Sequence, residues 1–388
     1  MSEDSRIYLD HHATTPTDPR VAEVVLRHLT QSFGNAHSTD HSFGLEAEEA
    51  VQSARGHVAK LVGASPRSVV FTSGATEALN LAIQGWVRER FAPGSPAHVL
   101  LTPVEHRAVL ETCEALRHEG LAVLEFLSVD EMGRLDLDEF AEACARGADL
   151  ACVMAANNEI GNVYPLPEIA EIAMRHGVTW ICDATQAAGR IPLDVDTWGV
   201  QLLVLSGHKM YGPKGVGALI VQPGVRLRPL FYGGGHERGF RPGTLDVPGI
   251  AGLGEAARLR LTEMAADEPV IAARRDRLWE LLRSGLAGLV MNGDTEHRLA
   301  GNLHLSIPGV PNTAVIARVG HRVALSTGSA CSSGTLAPSH VLRALRLPDA
   351  RIDGALRFGI GKFTTDTEID TAADLLLGAT AAVRDALA

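Results

Sequence analysis

Short β-branched or apolar runs alternate with helical patterns through the first two thirds of this chain of 388 residues. The runs are SVVFTS (68–73), HVLLTP (98–103), LAVLEFL (121–127), LACVMAAN (150–157), VTWICDA (178–184) and LLVLSG (202–207). Helical stretches such as ATEALNLAIQGWVRER, EHRAVLETCEALRHEG and LPEIAEIAMRHG separate most of them, and VGALIV (216–221) reads as one more strand. Strands that are apolar throughout, separated by helices, predict an α/β fold around a mostly parallel sheet covered on both faces. After about residue 255 the texture changes. Two helical patterns, roughly 249–262 and 267–286, precede strand-like NLHLSI (302–307), helical TAVIARV (313–319), helical SHVLRAL (339–345), strand-like ALRFGI (355–360) and a helix from about 366. This predicts a second, smaller α+β domain. The Gly-rich FYGGGHERGFRPGT (231–244) reads as a loop.

Composition narrows the partners. A formal net charge of −11 argues against nucleic acid or an anionic membrane as the main partner. No apolar stretch reaches the ~18 residues of a membrane span, and the N-terminus MSEDSRIYLDHHATTP lacks the apolar core of a secretory signal. Five scattered cysteines, Cys113, Cys144, Cys152, Cys182 and Cys331, show neither metal-site spacing nor a disulfide framework. A cytoplasmic protein with reduced thiols and no metal is expected.

In an open parallel sheet, ligands sit at the carboxyl ends of the strands, and several such ends here carry reactive residues. After SVVF comes TSGATEALN, where Ala75 and Thr76 lead into a helix whose N–H groups could hold a phosphate; a plain helix cap is the bland alternative. After VTWIC comes Asp183, with Gln186 three residues on. A carboxylate at a buried edge needs a cationic partner, which a protonated pyridine nitrogen or a structural arginine could provide. After LLVLS come His208 and Lys209, a lysine that desolvation could make nucleophilic and that could equally be a surface residue. His106 in PVEHRAV stands at a strand-to-helix junction, where an imidazole could stack on a planar ligand and move protons, or merely cap the helix. Asn157 and Asn158 in NNEIGN mark another strand end. A phosphate cup, an acid for a ring nitrogen and a reactive lysine, in that order, are the parts of a pyridoxal phosphate site.

These motifs, together with YLDHHATTP (8–16), FGNAHSTDHSFG, CDATQAAG, SGHKMYGPKG, GGGHERGFRPGT, STGSACSSG and LRFGIGKFT (356–364), run in one order along nearly the whole chain. In that order and spacing the chain resembles the cysteine desulfurases, within the class V, fold-type I group of pyridoxal phosphate-dependent enzymes. The resemblance implies a large domain (16–255) with a mostly parallel seven-stranded sheet, and a small domain from residues 1–15 and 256–388. It implies that Lys209 carries pyridoxal 5'-phosphate, that Asp183 holds the pyridine nitrogen, and that Asn158 and Gln186 bond the phenolic oxygen. Ala75, Thr76, Ser206 and His208 would bind the phosphate, with Thr244 supplied by the other subunit of a homodimer. His106 would stack on the ring and move protons, Asn35 and Arg357 would hold the carboxylate of L-cysteine, and Cys331 would be the nucleophile. Sulfur would leave as a persulfide on Cys331, bound for an acceptor protein that serves iron–sulfur clusters, tRNA thiolation or thio-cofactors.

The match has departures. The family usually reads GNPSS where this chain has Gly34–Ser38 as GNAHS; His11 and His12 occupy the first motif, and Lys362 stands where arginine is frequent. Cys331 itself lies in STGSACSSGTLAPS (326–339), a run of small residues with Gly328 and Gly334 that suits a travelling thiol rather than a structural one. Its length to Pro338 is similar to the longer-loop branch of the family, and weak order over 328–336 is expected. Rival readings are an aminotransferase or selenocysteine lyase of the same fold, and a non-catalytic sulfur carrier or assembly scaffold. The first would not need Cys331, and the last would not need Lys209.

Overall fold

The computed structural model describes residues 6–327 and 338–388. Seven strands form its large sheet. From one edge to the other they are Val69–Thr72, Gly217–Val221, Leu202–Ser206, Thr179–Asp183, Leu150–Cys152, Ala97–Leu101 and Ala122–Phe126. Gly217–Val221 runs antiparallel to both neighbours, and all other pairings are parallel. Six strands therefore end on one edge, and that edge collects the residues that follow them. Each of the seven runs anticipated from sequence supplies one strand. The fifth is shorter than its apolar run: pairing ends at Cys152, although Val153 and Ala155 still donate to Ile181 O and Asp183 O at 3.3 and 2.9 Å.

The apolar character of the strands follows from burial on both faces. Val69 and Phe71 enter one core cluster while Val70 enters another; Leu100 and its neighbours Val99 and Leu101 divide the same way. A further core gathers Ile7 and Leu9 with Ile271, Leu278, Leu303, Leu305, Leu356, Phe358 and Ile369. It packs against the antiparallel strands Ala355–Gly359, Asn302–Ser306 and Val290–Met291, and against the parallel pair Ile7–Tyr8 and Val323–Ala324.

One expectation is corrected here. The two helical patterns near 249–262 and 267–286 form a single helix, Val247–Gly285, of 39 residues. Pro269 lies inside it and removes one backbone donor. Buried Arg260 spans the turns before it, with ion pairs to Asp267 and, at 2.6 Å, to Glu268. Arg260 also donates from Nε to Gly189 O at 2.7 Å, which ties the helix to the segment after Asp183. The helix serves both cores, with Leu253 and Ala257 in one and Ile271, Leu278 and Leu282 in the other. The domain division expected at 255/256 falls within it.

Candidate active site

The segment after Leu202–Ser206 turns through Gly207–Lys209 and brings the Lys209 side chain to the sheet edge. Its Nζ donates to His12 O at 2.7 Å and to Ala13 O at 2.6 Å. The N-terminal segment is held there by further bonds: Thr15 N and Oγ1 donate to His208 O at 2.9 and 3.0 Å, and Gln186 Nε2 donates to His12 O at 2.9 Å. Burial, then the charges of Arg190 and Arg357, push the Lys209 amine down to about 7, against the opposite pull of Asp10 and Asp183.

Asp183 ends its strand almost buried, its Oδ1 accepting from Thr185 N at 2.9 Å. Across the edge His106 caps the helix Arg107–His118, its Nδ1 accepting from Ala108 N at 3.1 Å. That bond puts the proton of the neutral ring on Nε2. Desolvation lowers the His106 pKa, while the Asp183 charge raises it and Lys209 lowers it, so the three groups sense one another.

The helix Ala75–Arg90 starts at Gly74 with no side-chain cap. Glycine is needed there: φ is +151°, and the strand residue Gly217 approaches so closely that a Cβ on it would stand 2.9 Å from Gly74 Cα. Ser206 ends the neighbouring strand, its Oγ about one van der Waals contact from where a Gly74 Cβ would be. Uncapped N–H groups beside a hydroxyl form a cup suited to an anion. Thr185 Oγ1, His12 Nε2 and Arg357 Nε are buried around the same edge without partners among the described residues. An amine, a carboxylate and an anion cup at adjacent strand ends fit an aldehyde that carries a basic ring nitrogen and a phosphate.

The two asparagines of NNEIGN differ sharply. Asn157 is fully buried: its Nδ2 donates to Val104 O at 3.0 Å, and its Oδ1 accepts from Glu159 N and Ile160 N at 2.8 and 3.0 Å. Its amide is thus committed to the turn, which leaves Asn158 as the asparagine open to a ligand. Asn157→Ala is expected to cost about 3 kcal/mol in denaturant unfolding, because it strands buried backbone groups, while Asn158→Ala leaves stability nearly unchanged.

Other residues singled out from sequence are placed as follows. His208 Nδ1 lies 3.1 Å from Thr14 Oγ1, and burial drives its pKa to about 4. Gln186 already bonds His12, with its Oε1 facing Arg190 Nη1 at 3.1 Å. Buried Arg357 donates to Asp10 Oδ1 at 2.8 Å and Asn158 O at 2.9 Å. Asn35 is exposed, its Oδ1 accepting from His37 N at 3.0 Å, and Thr244 is exposed in the Gly-rich loop. Cys331 and the weak order expected over 328–336 lie outside the described residues. The departures are structural where they can be seen. Lys362 pairs with Asp18 at 2.5 Å, His11 lies against Gly361, and His37 packs edge-on against His236.

Three residues escaped sequence reasoning. Glu159, buried with its pKa raised to about 7 by desolvation, accepts from Ser339 Oγ at 2.5 Å, eight residues after Cys331. Glu105, raised by burial to about 8, accepts from Thr102 Oγ1 and Met154 N at 2.8 and 3.0 Å. Arg190 bonds four groups of the site. The signals were adjacency to His106 and Asn158, and a cation four residues after Gln186.

Comparison with known proteins is consistent along the chain. The Aminotransferase class-V family matches residues 7–371. Cysteine desulfurase IscS of Anaeromyxobacter sp. (strain Fw109-5) is 48% identical over 366 residues, covering 94% of this chain and 90% of that protein. Among solved structures, a NifS-like protein superposes with a TM-score of 0.89 at 32% identity, over 96% of this chain and 98% of that one. SspA in complex with cysteine superposes with a TM-score of 0.81 at 30% identity, over 92% of this chain and 100% of that one.

Proposed function

The chain belongs to the Aminotransferase class-V family and is a cysteine desulfurase, and from that premise we propose that it moves the sulfur of L-cysteine onto Cys331, using pyridoxal 5'-phosphate held by Lys209. The observation that carries this reading is the Lys209 amine, held between His12 O and Ala13 O and brought to about 7 beside Asp183. Asp183 would hold the ring nitrogen, Asn158 and Gln186 the phenolic oxygen, and Ala75, Thr76, Ser206 and His208 the phosphate, joined by Thr244 of the second subunit. Bound pyridoxal phosphate supplies an electron sink that weakens the Cα–H and Cβ–S bonds of an amino acid.

The chain's own residues do the rest. Lys209 presents an amine that is about half unprotonated at neutral pH, so it can act as nucleophile and base. His106 carries a proton on Nε2 toward the site and can give or take it there. Arg357, with Asn35, holds the substrate carboxylate; that carboxylate competes with Asp10 for the guanidinium fork. The Cys331 thiolate attacks the substrate sulfur: an S–S bond forms, the Cβ–S bond breaks, and the electron pair with a proton completes the methyl group of L-alanine. Gln186 keeps one Nε2 hydrogen on His12 O and would offer the second to a ligand oxygen.

The active assembly is a homodimer, in which the exposed Thr244 would be offered to the phosphate site of the other subunit. The enzyme is cytoplasmic, a reading that the free, buried Cys113, Cys144, Cys152 and Cys182 support. The persulfide passes to an acceptor protein of iron–sulfur or related sulfur supply. The test is product analysis with L-cysteine and a thiol reductant. L-Alanine and sulfide in equal amounts are expected; pyruvate, or alanine without sulfide, contradicts the reading.

A further inference from the structure

Behind Lys209 stands a half-buried guanidinium whose four bonded partners are all uncharged. Arg190 Nη1 donates to His12 Nδ1 at 2.7 Å and to Gln186 Oε1 at 3.1 Å. Its Nη2 donates to His11 O at 2.9 Å and to Lys209 O at 3.0 Å. Three separate stretches of chain therefore meet on one planar fork: the N-terminal segment, the turn after Asp183 and the lysine itself. Tyr211 and Glu268 favour its charge across space, but Glu268 spends its carboxylate on Arg260.

A guanidinium can only donate, so its bonds fix the chemistry of the groups they reach. His12 Nδ1 can only accept from the guanidinium, although it also stands 3.1 Å from Gln186 Oε1, and burial keeps this imidazole neutral. Gln186 must turn Oε1 to Arg190, which aims its Nε2 at His12 O. His12 O is also the acceptor of Lys209 Nζ. The backbone of Lys209 is thus held from one side and its amine from the other, by groups that share a single anchor.

We propose that Arg190 is a positioning residue of this site: it locks the Lys209 backbone, the His11–His12 segment and the Gln186 amide into one register, and so sets where the reactive amine points. A lysine in its place keeps the charge but cannot fork to four acceptors. The charge acts as well. The groups that face the Lys209 amine are Arg190 and Arg357 on the positive side and Asp10 and Asp183 on the negative side. The neighbouring His12, His106 and His208 all have lowered pKa values, chiefly through burial.

The inference rests on Lys209 as the cofactor-bearing residue, and its test separates the two. Holoenzyme, Arg190→Gln and Arg190→Lys are titrated with pH while the visible band of the lysine-bound cofactor is followed; cofactor retention on dialysis, kcat and KM are measured alongside. Arg190→Gln is expected to raise the titration midpoint by about 1 pH unit, since a cation leaves the neighbourhood of the amine. Arg190→Lys is expected to keep the midpoint, lose cofactor faster and lower kcat about tenfold at unchanged KM, because only the fork is lost. If both variants titrate, retain cofactor and turn over like the parent, the proposal is overturned. If Arg190→Gln does not fold, Arg190→Lys decides alone by its retention and kcat. A parent enzyme with no lysine-bound band would overturn the reading of Lys209, and this proposal with it.

Discussion

Lys209→Ala is expected to lower the conversion of L-cysteine to L-alanine by roughly 10⁴-fold, the scale on which loss of a covalent catalyst acts. The cause lies in the state of the amine. With a pKa of about 7 in place of the ordinary 10.5, about half of it is unprotonated at neutral pH, against about one in 3,000 for an ordinary lysine. No neighbour can substitute. His208 points to Thr14, and Lys362 is held in an ion pair with Asp18. The variant should bind pyridoxal phosphate through the anion cup and Asp183 but show no lysine-bound band. Its fold should survive, since the two bonds lost go to His12 O and Ala13 O, of which the first keeps Gln186 as donor. Parent-like turnover in this variant would rule out the proposed role of the lysine and leave the strand-edge chemistry without a nucleophile. A variant without lysine-bound cofactor but with parent-like sulfide release would point to chemistry that does not pass through the site at all.

The large sheet was legible because its strands are apolar on both faces, a pattern that helices do not share at that length. Strand ends then pointed to Asp183, His106 and Lys209, and the structure brings these three within one another's electrostatic reach. What could not be read is what joins distant parts of the chain. His12 lies 197 residues from Lys209, and nothing local to either predicts that the carbonyl of one receives the amine of the other. Arg190 looks like an ordinary cation in CDATQAAGR until its fork is seen to close on the first motif. The choice of Asn158 over Asn157 rested on pattern alone in the sequence. The structure adds a physical reason, since the Asn157 amide is consumed by Val104, Glu159 and Ile160. The two helical patterns, 249–262 and 267–286, are joined into one helix through 263–266, where buried Arg260 pairs with Asp267 and Glu268 about two turns on. The unusual histidines of the first motif were visible, but their reason, a glycine at 361 that makes room for His11 and an arginine that fixes His12, was not.

Cys331→Ser is expected to abolish sulfide release under reductant and delivery to any acceptor, again by several orders of magnitude, because a hydroxyl at neutral pH is neither ionised nor a sulfur nucleophile. The lysine-bound cofactor band should be unchanged, since none of the residues assigned to the cofactor is altered. This contrast separates sulfur transfer from covalent attachment of the cofactor: Lys209→Ala loses both, while Cys331→Ser loses only the first. The chain around Cys331 returns to described structure at Pro338 and Ser339, where Ser339 caps His340–Ala344 and donates to Glu159, and His340 Nε2 donates to Glu105 O at 3.0 Å. Ser339 and His340 thus bond the same two turns that present Asn158 and His106. The most direct measurement is to incubate the enzyme with sulfur-labelled L-cysteine, without reductant, and locate the label by peptide mass spectrometry. One labelled sulfur atom per chain on the peptide containing Cys331, absent in Lys209→Ala, is the predicted result; label on Cys113, Cys144, Cys152 or Cys182 instead, or label on Cys331 that persists without Lys209, would contradict it.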